Sequence, residues 1–168
     1  MKYAKQSDEL LPKVYLIDDD PVASYALADL VESIGLPYAA FKDAESFLKE
    51  DASTLAGCIV TDVRMPGMSG LELQDELRRQ GIGVSIIFVS SYPELTTVVR
   101  AMRGGAIDFF QKPFPPQKLL DCIQDGLRID QSRAAIQARN REMAERIALL
   151  TPRENEVLQG IYEGKLTK

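Results

Sequence analysis

The sequence predicts an α/β fold, a doubly wound sheet of five parallel strands with helices on both faces. Three observations carry this. Five short apolar, β-branched runs alternate with helical patterns at intervals of roughly 20–25 residues, the spacing of strand-helix-strand units. The strands read as continuous apolar runs, as strands covered on both faces do. Polar residues also cluster at their carboxyl ends, which is where open α/β sheets gather reacting groups.

Residues 1–12 are polar and expected to form a frayed tail. Lys13-Val14-Tyr15-Leu16-Ile17 reads as the first strand and ends in Asp18-Asp19-Asp20. Pro21 suits the first turn of a helix, and Val22, Tyr25, Leu27, Leu30, Val31 and Ile34 keep helical spacing as far as Gly35. Pro37 to Phe41 gives a second strand, and Asp43 caps a helix carrying Phe47 and Leu48. The third strand is Cys58-Ile59-Val60-Thr61 with Asp62 where it stops, followed by the loop Met65-Pro66-Gly67-Met68-Ser69-Gly70 and a helix near 69–80. Val84 to Val89 is the strongest strand signal and ends in Ser90-Ser91. Ser91 and Glu94 have capping-box spacing, predicting a helix over 92–103. Ala106 to Phe110 is a fifth strand, stopped by Lys112-Pro113.

The last helix starts near Pro116, with Leu119, Leu120, Ile123 and Leu127 facing the sheet, and is expected to run unbroken to about Leu150. Ile129, Ile136, Met143 and Leu150 recur every seven residues, while the alternate positions are Arg133, Asn140 and Ile147. That pattern fits either a solvated linker helix or a dimer seam. Thr151-Pro152-Arg153-Glu154 is a further helix start.

Charge is unevenly placed in a chain of net charge −5. Residues 1–125 hold 19 acidic and 12 basic side chains, a net −7, and residues 126–168 hold 6 and 8, a net +2. A negative field argues against nucleic-acid binding by the first part. No window approaches the roughly 18 apolar residues of a membrane span, and the N-terminus lacks the apolar core of a signal peptide. Cys58 and Cys122 form no metal-type spacing, so a reduced, cytoplasmic protein is expected. The sequence has no histidine, which excludes histidine acid-base catalysis and histidine metal ligands.

Asp18 and Asp19 end the first strand, Asp62 the third and Ser90 the fourth, and Lys112 follows the fifth. In a doubly wound sheet these ends share one edge. Three carboxylates there call for a cation, and oxygen-only ligands favour Mg²⁺ over Zn²⁺. A hard cation lets an anionic phosphoryl donor approach an anionic nucleophile, so the set suits phosphorylation of an aspartate.

Four stretches carry a family resemblance: VYLIDDDP at 14–21, GCIVTDVRMPGMSGLEL at 57–73, Ser90 after IIFV, and VRAMRGGAIDFFQKPF at 99–114. Together they resemble the response-regulator receiver domain of two-component signalling, in its FixJ-like subgroup, over residues 13–125. The resemblance implies a flavodoxin-like sheet of strand order 2-1-3-4-5. It implies Asp62 as phosphoacceptor, and Mg²⁺ held by Asp18, Asp19, Asp62 and the backbone carbonyl of Arg64. Lys112 and Ser90 would bind the phosphoryl group. Ser90 and Phe109 would be the switch pair, and Arg64 and Tyr92 would flank the approach of water. A cis Lys112–Pro113 bond is implied as well.

A sensor histidine kinase is the implied partner. A second copy is another, through the face of the fourth helix, fifth strand and fifth helix or through the helical linker at 126–150. Residues 151–168 resemble the truncated start of a LuxR-type helix-turn-helix, so DNA would be bound only through a C-terminal domain that this segment does not complete. One departure is Ser91-Tyr92-Pro93-Glu94, where FixJ-like receivers commonly carry a Gly-His-Gly type loop.

Three other readings compete. A haloacid-dehalogenase-type phosphatase would need a second Asp where Arg64 stands. A flavodoxin-like cofactor binder would want an anion loop where Asp18-Asp19-Asp20 stands. The complete residue set counts against a receiver-like module that interacts without phosphorylation.

Overall fold

The computed structural model describes residues 12–51 and 55–162. All but the last residue of the expected N-terminal tail, and residues 163–168 of the expected helix-turn-helix start, lie outside the described residues. The chain divides into two units, Met1–Gln131 and Ser132–Lys168.

The first unit is built on strands β1 (Lys13–Ile17), β2 (Tyr38–Phe41), β3 (Gly57–Asp62), β4 (Ser85–Ser90) and β5 (Asp108–Gln111). They form one parallel sheet in the order β2-β1-β3-β4-β5. Helices α1 (Pro21–Glu32), α2 (Ala44–Phe47), α3 (Gly70–Arg79) and α4 (Leu95–Arg103) alternate with the strands, and α5 (Pro116–Ala148) follows them.

Period-two alternation sorts the strand residues onto two faces. Tyr15, Ile17, Ile59, Ile86 and Phe88 join Phe47, Leu71, Leu73, Leu77 and Ala101 in one apolar cluster. Val14, Leu16, Cys58, Val60, Ile87 and Val89 join Leu27 and Val31 of α1 and Leu119, Ile123 and Leu127 of α5 in the other. The three central strands are therefore covered on both sides, as their unbroken apolar runs require. Val22 and Tyr25, which share the helical spacing of α1, are instead 75% and 76% exposed.

Two close approaches fix the layers. A Cβ on Gly126 of α5 would stand 2.7 Å from Cys58 Sγ on β3. Gly57 opens β3 at φ +135°, where a Cβ would meet the Lys13 carbonyl oxygen at 1.9 Å. Its amide donates to the buried Asp130 carboxylate at 2.7 Å, tying the amino end of the sheet to α5.

Most element boundaries fall where the sequence puts them. Ser69 caps α3 with Glu72 in a capping box, and Asp43 accepts from the Ser46 amide to start α2. Strand β5 starts at Asp108 rather than Ala106, and the larger departure is α4. It starts at Leu95, not 92, with Glu94 as N-cap and no side-chain hydrogen bond at the cap. Pro93 disfavours helical geometry at Tyr92, so the Ser91–Glu94 capping box cannot close. The Lys112–Pro113 peptide is cis.

In the second unit, Ser132 to Leu149 are all exposed, and the helix ends at Ala148. Helix α6 (Pro152–Tyr162) follows, with Thr151 and Glu154 forming reciprocal hydrogen bonds at its start. Among the described residues, no helix is long and apolar enough to cross a membrane.

Candidate functional site

Strand register builds the site. Ile17 lies beside Thr61, so Asp18 and Asp62 emerge next to each other at the carboxyl edge. Ser90 lies beside Gln111, so Lys112 emerges just past Ser90, and its amide donates to the Ser90 carbonyl at 2.8 Å. Residues 94 and 50 positions apart in the chain thus become neighbours. The Lys112 ammonium donates to Asp18 Oδ2 at 2.7 Å and to Asp62 Oδ2 at 3.0 Å.

The supporting backbone is as tight. Gly70 opens α3 directly below Asp62, where a Cβ would sit 2.3 Å from the Asp62 carbonyl oxygen. Gly67 turns the loop at φ +77°, and the Met68 amide donates to Glu45 Oε1 at 2.9 Å. The second Asp62 oxygen accepts from the Arg64 amide at 3.0 Å. Asp18 Oδ1 accepts from the Asp20 amide at 2.9 Å, and Asp20 in turn caps α1 through the Val22 amide.

Burial pushes the Asp18 carboxyl above the usual carboxylate range, against the pull of Lys112 and with the Asp62 charge adding to it. Burial also acts against the charge on Lys112. Its hydrogen bonds to Asp18 and Asp62 outweigh that and raise its pKa above the ordinary lysine value. The site is therefore a hydrogen-bonded triad with a protonated lysine at its centre.

The other expected residues are placed as follows. Ser90 is buried, and its hydroxyl oxygen accepts from the Tyr92 amide at 3.3 Å. Phe109 is half-buried and stacks on Phe88 with ring centroids 6.1 Å apart. Asp19 is exposed and lines, with Asp18, a groove of about 420 Å³ between α1 and β2. Tyr92 is 73% exposed. The Arg64 guanidinium is engaged by Glu94 at the start of α4. Neither Tyr92 nor that guanidinium bonds Asp62. Glu94 is the residue that sequence reasoning misplaced. Capping-box spacing with Ser91 sets it inside the first turn of α4, whereas it is the N-cap and pairs with Arg64, and nothing local signals a partner 30 residues away.

Among the described residues, no three or more Asp, Glu, Cys or His side chains gather as a ready-made metal site. The donor chemistry nonetheless fits Mg²⁺. Two carboxylates share one ammonium, Asp19 lines a groove with Asp18, and this cation uses one or two carboxylates and keeps several waters.

A parallel sheet of this order, with paired aspartates and a lysine at its carboxyl edge, defines the class as a flavodoxin-like signalling fold. The chain belongs to the response regulator family, whose receiver domain matches residues 14–124. Response regulator protein TodT of Pseudomonas putida is 38% identical over 155 residues, which cover 92% of this chain and 68% of TodT. Transcriptional regulatory protein FixJ of Bradyrhizobium diazoefficiens is 35% identical over 155 residues, covering 92% and 76%. Among solved structures, response regulator StyR superposes with a TM-score of 0.84 at 38% identity, over 91% of this chain and 77% of StyR. Full-length FixJ from B. japonicum gives 0.68 at 35% identity, over 91% and 75%.

Proposed function

We propose that this chain is a phosphorylation-controlled switch of the cytoplasm, in which Asp62 takes a phosphoryl group from the phosphohistidine of a sensor kinase. The observation that carries the reading is the Lys112 ammonium shared by Asp18 and Asp62 at the end of the central strand. An Asp62 carboxylate oxygen attacks phosphorus, the P–N bond breaks, and its electron pair leaves with the imidazole. Lys112 stays protonated throughout and holds a phosphoryl oxygen in place of the Asp62 oxygen it now holds. Asp18, Asp19, Asp62 and the Arg64 carbonyl would hold Mg²⁺, which when bound would neutralise charge between the two anions.

Once Asp62 is phosphorylated, the Ser90 hydroxyl gives up the Tyr92 amide and donates to a phosphoryl oxygen. Phe109 turns inward into the space released. The face formed by α4, β5 and α5 changes with it, and α5 relays the change to a transcriptional output domain that binds DNA.

Mass measurement tests the reading. Incubation with acetyl phosphate and Mg²⁺ is expected to add one phosphoryl group to the protein and none to Asp62→Asn. Undiminished phosphorylation of that variant would remove Asp62 from the role. Asp19→Ala is expected to weaken Mg²⁺ binding in titration and slow phosphorylation together.

A further inference from the structure

Helix α5 continues into the second unit, where its apolar side chains are exposed. Every residue from Gln131 to Leu149 is exposed, including Ile136 at 59%, Met143 at 62% and Ile147 at 43%. An isolated helical stretch of this length is marginal in water. A surface helix that needed no partner would have no reason to hold an apolar seam.

The seam has a definite period. Arg133, Ile136, Asn140, Met143 and Ile147 are spaced three, four, three and four residues apart. That is the 3.5-residue repeat of a left-handed coiled coil, with Ile136 and Met143 at one core position and Arg133, Asn140 and Ile147 at the other. We propose that this seam is covered by a second copy of the same chain, in a parallel and in-register two-stranded coiled coil over residues 132–148.

The orientation follows from Asn140. In a parallel pair Asn140 meets its own counterpart, and the two amides hydrogen-bond across the seam. In an antiparallel pair it would face an aliphatic residue and bury an unpartnered amide. The flanking charges agree. A parallel pair sets Arg139 opposite Ala144 and Ser132 opposite Gln137, with no like charges facing. An antiparallel pair brings the Arg139 and Arg146 edges of the two helices together. Arg133 fits only because its long stem can carry the guanidinium out to water. Two heptads with Asn and Arg in the core make a weak dimer, one that depends on concentration.

Cysteine cross-linking of the full chain tests this directly. The native thiols of Cys58 and Cys122 are buried and raised in pKa by that burial, so an introduced thiol is the reactive one. Ile136→Cys and Ile147→Cys are each expected to give a disulfide-linked dimer under mild oxidation. Ala138→Cys, on the outer face, is expected to stay monomeric. No antiparallel arrangement pairs both 136 and 147 with themselves. Cross-linking at only one of them, or equally at 138, overturns the proposal. Sedimentation of the unmodified chain gives a second readout. Association is expected to strengthen with concentration, and Ile136→Asp is expected to raise the dissociation constant about tenfold or more. A monomer across the whole accessible concentration range overturns it, as does protection of 132–148 from hydrogen exchange within a monomer. Neither result touches the phosphorylation of Asp62, which all these variants should retain.

Discussion

Lys112 carries two hydrogen bonds that none of its chain neighbours could supply, and removing them exposes the electrostatics of the site. With Lys112→Ala, Asp18 and Asp62 face each other without a cation. In metal-free buffer the variant is expected to lose about 1–3 kcal/mol of stability near neutral pH. The sign of the pH dependence is fixed by two shifts. The folded pKa of Lys112 is raised, so its stabilisation is fully present below its unfolded pKa and lost only as alkaline pH passes the folded value. The folded pKa of Asp18 is also raised, so ionising it costs stability once pH climbs above the unfolded carboxylate value. The gap between wild type and variant should therefore narrow on acidification, as the carboxylates protonate. Urea melts at neutral and acid pH measure it. A gap that widens in acid would mean that the lysine does not serve these carboxylates.

Arg64 and Tyr92 belong to the same scale. The family resemblance implies that they flank the approach of water, and in the structure Tyr92 is exposed while Glu94 holds the Arg64 guanidinium. Glu94→Gln is expected to free that guanidinium for the phosphoryl oxygens. The lifetime of phosphorylated Asp62 should then lengthen about two- to fivefold, the equivalent of ~0.4–1 kcal/mol for an exposed ion pair. The same substitution in an Arg64→Ala background should change nothing, and decay rates of the four proteins decide it. Tyr92→Gly is expected to shorten the lifetime about threefold to tenfold, or ~0.7–1.4 kcal/mol, if the ring shields the phosphoryl group. An unchanged lifetime would assign the ring to the surface alone.

At the scale of elements, the sheet is secured at both ends by contacts far apart in sequence. Its carboxyl edge holds the hydrogen-bonded triad. Its amino edge holds the Gly57 amide against the buried Asp130 carboxylate. Asp130→Ala is expected to cost about 1–3 kcal/mol, because the Gly57 amide would be left buried without its acceptor. Denaturant unfolding followed by far-UV circular dichroism reads this. A neutral result would show that water replaces the carboxylate at that edge.

The molecule as a whole joins a sheet-based unit to a helical one through a single 33-residue helix. The two ends of α5 are stabilised differently. Its first turns bury Leu119, Ile123 and Leu127 against the sheet, whereas its later turns are exposed all round. Ala138→Pro is therefore expected to remove helical ellipticity from the linker, at about 3 kcal/mol or more for an interior proline. Phosphorylation of Asp62 should continue. Loss of phosphorylation would mean that the linker supports the site.

Much of this was legible in the chain itself, for local reasons. Five apolar runs set the five strands, and capping residues such as Asp43 and Ser69 mark where helices start. The strand ends alone place Asp18, Asp62, Ser90 and Lys112 on one edge. Periodicity and capping act within a few residues, so they can be read from neighbours. The start of α4 lies later than spacing alone suggests, because Pro93 overrides the capping box. The pairing of Arg64 with Glu94, the shared ammonium of Lys112 and the Asp130 contact at Gly57 were settled only by tertiary structure. Each joins side chains or backbone groups 30 or more positions apart. Such contacts depend on strand register and helix packing, which bring those groups within hydrogen-bond reach only once the sheet has closed.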